Sequence, residues 1–178
     1  MGTGKSKGFA VMLILTVAFS SLALSGTRIA FAQQSSGDWP MFQANPAHTG
    51  VGTGSPVLRP KVLWTYNTFA PVVSSPAVGG GIIYIGSDNS AVYAFNATNG
   101  VQIWNHSITP VFPVYSSPAV ADGVVYVGSM NGNMYALNAT NGIQIWSYTT
   151  GGPVASSPAV LDGVVYIGSG GGSVTFML

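Results

Sequence analysis

The sequence predicts an all-β fold, a β-propeller of four-stranded antiparallel blades. Three observations point there. Several short motifs recur together about every 40 residues. The segments between turn residues are too short for helices. Twenty-four Gly, eleven Pro and eight Tyr favour short strands joined by tight turns.

The repeat is the strongest of the three. Ser74-Ser75-Pro76-Ala77-Val78 returns at Ser116 to Val120 and again at Ser156 to Val160. Tyr84-Ile85-Gly86-Ser87 returns at Tyr126 and Tyr166, and Asn96-Ala97-Thr98-Asn99-Gly100 returns unchanged at Asn138 to Gly142. Trp64, Trp104 and Trp146 keep the same beat. The offsets are 42 then 40 for the first two motifs, but 40 then 42 for Trp. That mismatch puts a two-residue insertion within Ile108 to Tyr115.

Unit two reads as four strands in order. The first runs from Val114 to Ala121, and Asp122-Gly123 makes a two-residue hairpin turn. The second is Val124 to Ser129, ending in a turn at Met130-Asn131-Gly132. The third is Asn133 to Asn138, closed by Ala139-Thr140-Asn141-Gly142, whose Gly can take a positive φ. The fourth, Ile143 to Thr149, carries Trp146. Asp162-Gly163 repeats the first hairpin in unit three, and Gly79-Gly80-Gly81 stands in for it in unit one.

A single sheet of this kind leaves both faces wet, so the units must stack face to face as propeller blades. Ala77, Ala119, Ala159 and the Gly of Tyr-x-Gly-Ser let sheets approach. Trp64, Trp104, Trp146, Tyr84, Tyr126 and Tyr166 then fill the space between blades. Gly100, Gly123, Gly142 and Gly163 are the turn glycines.

The run Gly123-Val-Val-Tyr-Val-Gly-Ser-Met-Asn-Gly-Asn-Met-Tyr-Ala-Leu-Asn-Ala-Thr-Asn-Gly-Ile-Gln-Ile-Trp146 resembles the pyrrolo-quinoline quinone (PQQ) type propeller repeat. Asp38-Trp39-Pro40-Met41-Phe42 through His48-Thr49-Gly50 resembles the lead-in of secreted members of that superfamily. The resemblance implies about three PQQ-like repeats, near 64–103, 104–145 and a truncated 146–178. It also implies one of two kinds of function. Some members are quinoprotein dehydrogenases that hold PQQ and Ca²⁺ at the propeller centre; others are cofactor-free scaffolds resembling the outer-membrane assembly factor. The enzymes resemble one another in a Glu and an Asn as calcium ligands, a catalytic Asp and often a vicinal disulfide. This chain has no Glu and no Cys, which places it nearer the scaffolds.

The remaining chemistry is sparse. Asp122 and Asp162 sit in hairpins and Asp88 in a loop, with no clustering of oxygens suited to Ca²⁺. His48 and His106 lie in unlike contexts without ligand spacing. The Ser-Ser-Pro triplets sit in the repeat frame rather than on a nucleophile elbow, and their hydroxyls are expected to bond locally. No catalytic, cofactor-binding or metal-binding residue is therefore assigned, no cofactor is expected, and the chain is read as a non-enzyme. Asn96, Asn105 and Asn138 begin N-x-Ser/Thr sequons and are candidate N-glycosylation sites.

Residues 1–32 read as a signal peptide. Lys5 and Lys7 precede an apolar run from Phe9 to Leu24, and Ala30-Phe31-Ala32 suits cleavage after Ala32. Export to the cell surface or beyond is expected, with membrane contact only through an uncleaved signal. Gly4-Lys5-Ser6 and Met1-Gly2 with Ser6 are chance lookalikes of phosphate-loop and acylation motifs. Residues 33–60 form a lead-in segment and 61–178 the partial propeller.

Charge narrows the partners. The chain has nine charged residues and a net charge of +1. Without residues 1–32, Arg59 and Lys61 face four Asp, giving −2. Nucleic acid is excluded on that footing, leaving a protein or a glycan as partner. A strand at Lys61 to Asn67 precedes unit one, while unit three stops after its third strand, where Val174-Thr175-Phe176-Met177-Leu178 breaks the register of Val92-Tyr93-Ala94-Phe95-Asn96. Three blades fall below the usual minimum of four. The expectation is an incomplete ring, a fragment of a seven- or eight-bladed propeller, whose open blade faces and sheet edges favour self-association.

Overall fold

The computed structural model describes residues 38–44, 59–109, 111–172 and 174–177. The chain divides into Met1–Gln33 and Gln34–Leu178, and the fold below belongs to the second unit. Residues 1–32, read above as a signal peptide, and His48 lie outside the described residues.

Among the described residues, eleven strands make three antiparallel sheets, each a simple meander. Blade 1 comprises β1 (Ala77–Gly79), β2 (Ile82–Ser87), β3 (Ala91–Asn96) and β4 (Gln102–Ser107). Blade 2 comprises β5 (Ala119–Ala121), β6 (Val124–Gly128), β7 (Asn133–Asn138) and β8 (Gln144–Thr149). The third sheet holds β9 (Ala159–Leu161), β10 (Val164–Gly168) and β11 (Val174–Met177).

The turns form for the reasons the sequence gives. Asp122 and Gly123 take φ of 49° and 76°, and Asp162 and Gly163 take 51° and 77°, the paired positive values of a type I′ hairpin. In unit one the turn is Gly80-Gly81, and Gly79 belongs to β1.

Three expectations need correction. The first strand of each blade is three residues long, because Pro76, Pro118 and Pro158 just before it offer no N–H to a ladder. Residues 61–67 form no strand and join no ladder among the described residues, having no sheet of their own to pair with. The β11 backbone keeps register, since Gly168↔Val174 matches Gly86↔Val92 and Gly128↔Met134; only the side-chain pattern changes there.

The core is the set of layers between blades. Tyr84, Val92, Trp104, Ile108 and Val114 meet Val125, Val127, Tyr135 and Leu137 between blades 1 and 2. Ala119, Met134, Val154, Val160, Val165 and Ile167 fill the next layer, joined by Met41 from the lead-in segment. Trp39 exchanges two backbone hydrogen bonds with Val78 (2.8 and 2.6 Å), and the Pro40 carbonyl accepts from Val120 N–H at 2.6 Å. The lead-in segment thus bridges β1 and β5, the innermost strands of adjacent blades.

Candidate interaction surface

The large aromatics sit where one blade meets the next. Trp104 on β4 is buried, and its indole N–H donates to the Ala139 carbonyl of blade 2 at 2.9 Å. Its ring lies so close to Gly142 that an added Cβ there would come within 2.6 Å of Cε3. Trp64 repeats this on blade 1, donating to the Ala97 carbonyl at 3.0 Å and covering Gly100. Trp146 is half-buried and packs on Tyr126, with centroids 5.9 Å apart. Tyr84 packs tilted on Trp104 with centroids 5.9 Å apart, its hydroxyl donates to the Ala139 carbonyl at 3.3 Å, and burial raises its pKa. Burial likewise raises that of Tyr126, with help from Asp122. Tyr166, on the outer face of the third sheet, is exposed.

Two interblade devices were not read from the sequence. His106, two residues beyond Trp104, packs on Tyr135 with centroids 6.4 Å apart. Burial lowers its pKa, partly offset by a hydrogen bond to the Gly142 backbone. The second, a serine relay, corrects the expectation of local bonding. Ser75 N–H donates to Ser117 Oγ at 2.8 Å, and Ser117 N–H donates to Ser157 Oγ at 3.1 Å, linking all three blades. The first Ser of two triplets does bond within its own blade: Ser74 Oγ accepts from Gly86 N–H at 2.8 Å, and Ser156 Oγ from Gly168 N–H at 3.0 Å. The recurrence of Ser-Ser was the available signal, but nothing in it says which hydroxyl crosses between blades.

Exposed apolar side chains line the outer strands, and six more lie in the two connections that lead on to an innermost strand. In the first, Phe69, Val72 and Val73 are exposed; in the second, Val111, Phe112 and Tyr115. Alternation of the strands puts both connections at the same end of the blades. Phe69 is 90% exposed and is held at φ 59°, a left-handed conformation that a bulky side chain seldom adopts. Its N–H donates to Asn67 Oδ1 at 2.8 Å, and Thr68 Oγ1 donates to the Ala70 carbonyl at 2.7 Å, fixing the bend. The β2–β3 turn braces it, with Asn89 Nδ2 donating to the Thr68 carbonyl at 2.9 Å and Asp88 N–H to the Pro71 carbonyl at 3.0 Å.

The sequons sit apart from that end or at the rim. Asn96 Oδ1 accepts from Thr98 and Asn99 N–H (2.9 and 3.2 Å), and Asn138 does the same with Thr140 and Asn141. Both carboxamides therefore build turns. Asn105 is exposed on β4, its Oδ1 accepting from Gln102 Nε2 at 3.2 Å.

A family model described as the outer membrane protein assembly factor BamB matches residues 60–116 and 107–177, most of the chain and all three blades. The chain belongs to this family of PQQ-like repeat propellers. Solved structures with the same fold include both kinds of member. A quinohemoprotein alcohol dehydrogenase from Comamonas testosteroni is 27% identical with a TM-score of 0.65, covering 75% of this chain and 23% of that one. BamB from Moraxella catarrhalis is 22% identical with a TM-score of 0.58, covering 66% and 37%. A second quinohemoprotein alcohol dehydrogenase, from Pseudomonas putida, is 24% identical with a TM-score of 0.67, covering 79% and 25%. The chain thus spans between about a quarter and somewhat over a third of these relatives' length. No curated protein sequence matches it.

The dehydrogenase relatives raise the question of a quinone and Ca²⁺. Among the described residues no three His, Asp, Glu or Cys side chains converge on one point. Asp122 and Asp162 are turn residues exposed to water on separate blades. This donor set does not fit a calcium–quinone centre.

Proposed function

We propose that this family member is a non-catalytic, extracytoplasmic binding module that holds a protein partner through the two apolar connections at one end of its blades. The observation carrying this is Phe69, which keeps a large ring almost wholly in water at the cost of a left-handed backbone. Strain of this sort persists where a surrounding scaffold enforces it, and it clusters at binding sites. Val72, Val73, Val111, Phe112 and Tyr115, none of them charged, extend the same surface. A protein surface rich in aromatic side chains and poor in charge is the matching chemistry. The BamB description supports a scaffold role beyond the cytoplasm.

The test is site-specific photo-crosslinking in the exporting cell. A photoreactive residue at Phe112 is expected to capture a discrete protein, and one at Thr98, in the turn at the opposite end, is not. Equal labelling from both positions, or none from Phe112, counts against the reading.

A second reading, a piece of a quinoprotein dehydrogenase, is favoured by the 27% identity to one. Equilibrium dialysis with PQQ and Ca²⁺ separates the two. A bound quinone absorbance would overturn the non-catalytic proposal.

A further inference from the structure

The β3–β4 turn of blade 1 and the β7–β8 turn of blade 2 share one sequence, Asn-Ala-Thr-Asn-Gly, and each opens with a sequon. Trp docking uses the carbonyl of the second residue and the glycine, while Thr98 and Thr140 are exposed. Both turns are held by backbone hydrogen bonds. Ala97 N–H donates to the Gly81 carbonyl at 3.0 Å and Gly100 N–H to the Asn96 carbonyl at 2.9 Å. In blade 2, Ala139 and Gly142 N–H do the same with Gly123 and Asn138, at 2.9 and 2.8 Å.

Turn formation and modification call on different atoms of the carboxamide. The turn is closed by Oδ1, which accepts from Thr98 and Asn99 N–H in one blade and from Thr140 and Asn141 N–H in the other. A glycan is attached through Nδ2 and leaves Oδ1 an acceptor, so the turn survives the attachment.

The third sequon, Asn105-His106-Ser107, is differently placed. It lies within β4, where Tyr93↔Asn105, Val92↔His106 and Ala91↔Ser107 are paired, and His106 packs on Tyr135 of the next blade. An enzyme that reads three consecutive residues meets the two turns at the end of the sheet, but would have to peel Asn105 to Ser107 away from β3.

We infer that Asn96 and Asn138 carry N-linked glycans, added to the folded chain, and that Asn105 stays bare; this rests on the extracytoplasmic placement proposed above. The donor is a lipid-linked oligosaccharide with a diphosphate on its anomeric carbon. Asn Nδ2 forms a bond to that carbon and gives up one proton, while the carbon–oxygen bond to the diphosphate breaks and its electron pair leaves with the diphosphate. Nothing is oxidised or reduced. Both glycans then stand at the end of the blades opposite the connections of Phe69 and Phe112. Hydrated sugar covers one end and the apolar connections at the other stay clear for a partner.

Intact-mass and glycopeptide mass spectrometry of the chain recovered outside the cytoplasm of the exporting cell tests this. The polypeptide is expected to carry two glycan increments, one at Asn96 and one at Asn138. Asn96→Asp and Asn138→Asp keep an oxygen acceptor for the turn, and each should remove one increment. Thr98→Val and Thr140→Val should do the same by removing the sequon hydroxyl, whereas Asn105→Gln should leave both increments. A bare polypeptide outside the cytoplasm, or a glycan on Asn105, overturns the inference and leaves the placement standing. A chain found wholly in the cytoplasm overturns the placement and the inference together. The unsubstituted chain alone decides between these outcomes, whether or not a variant folds.

Discussion

The docking of Trp104 against Gly142 can be put to a quantitative test, because the chain carries its own control. Gly142 has φ 72° and lies under the indole, with Cε3 and Cδ2 at 2.6 and 2.7 Å from where a Cβ would be. Gly123 has nearly the same φ, 76°, and nothing within 4 Å. Alanine at either position meets the same left-handed penalty, about 1–2 kcal/mol, and the same reduction of unfolded-chain entropy. Only Gly142→Ala also pushes a methyl into a ring that is pinned by its hydrogen bond to Ala139. Overpacking of that kind costs about 1–3 kcal/mol, so Gly142→Ala should fall below Gly123→Ala by that amount. The folded-to-unfolded ratio then differs between the two by roughly 5- to 150-fold.

Urea unfolding followed by far-ultraviolet circular dichroism reads this as a lower midpoint with an unchanged slope. The Gly142→Ala/Trp104→Ala pair completes the cycle. Each substitution alone damages one contact, and the methyl fills part of the space the indole leaves, so the double variant should be less destabilised than the sum by about 0.5–3 kcal/mol. Equal losses at Gly123 and Gly142, together with an additive double variant, would refute the docking argument.

Three further outcomes follow from the geometry. The pKa of His106 is lowered chiefly by burial, so the unfolded chain binds the proton more readily; His106 supports the fold fully above about pH 6.5 and loses that support as pH falls toward its depressed native value. Midpoints measured from pH 8 to 5 should fall more for the unsubstituted chain than for His106→Gln. Ser117→Ala removes the acceptor for Ser75 N–H and should cost about 1–3 kcal/mol if that N–H is left dry, whereas Ser117→Thr keeps the hydroxyl; urea midpoints for the pair decide it. Phe69→Asn relieves a left-handed bulky residue with almost no burial to lose, so stability should hold or rise by up to about 1 kcal/mol, while crosslinking of the partner through Phe112 should fall.

Blade architecture was legible because the features that make a blade are local. Asp-Gly and Asn-Ala-Thr-Asn-Gly are turn chemistry written in adjacent residues, and the recurrence of Trp fixes the spacing between outer strands. What stayed hidden depends on which group lies opposite. Ser75 and Ser117 are 42 residues apart and meet only once blades stack. His106 looked like a lone loop histidine because its partners, Tyr135 and Gly142, belong to the next unit. The eight-residue first strand shrank to three for a local reason that was visible, the proline at its start. Residues 61–67 have the composition of a strand, but a strand is made by its neighbour, and that neighbour is not within the described residues.

The candidate interaction surface was legible only through an irregularity. Units one and two differ by two residues, and the difference falls wholly within Ile108 to Tyr115. Lengthening a connection costs little closure entropy, so insertions settle there readily. A connection that is merely longer would be expected to add polar turn residues. Here Ile108 and Val114 anchor its ends in the core, Ile108 N–H donating to the Ser90 carbonyl at 2.7 Å, and between them Val111 and Phe112 face water. The preceding connection exposes Phe69 under backbone strain, whereas the third, Gly151-Gly152-Pro153, has no aromatic residue. Units one and two share the Ser-Ser-Pro, Tyr-x-Gly-Ser, Asn-Ala-Thr-Asn-Gly and Trp motifs that build the blades, and so have kept what packing demands. Away from those motifs, two neighbouring connections both carry exposed apolar rings. Blade stacking has no use for those rings, and both belong to the surface proposed above to hold a partner.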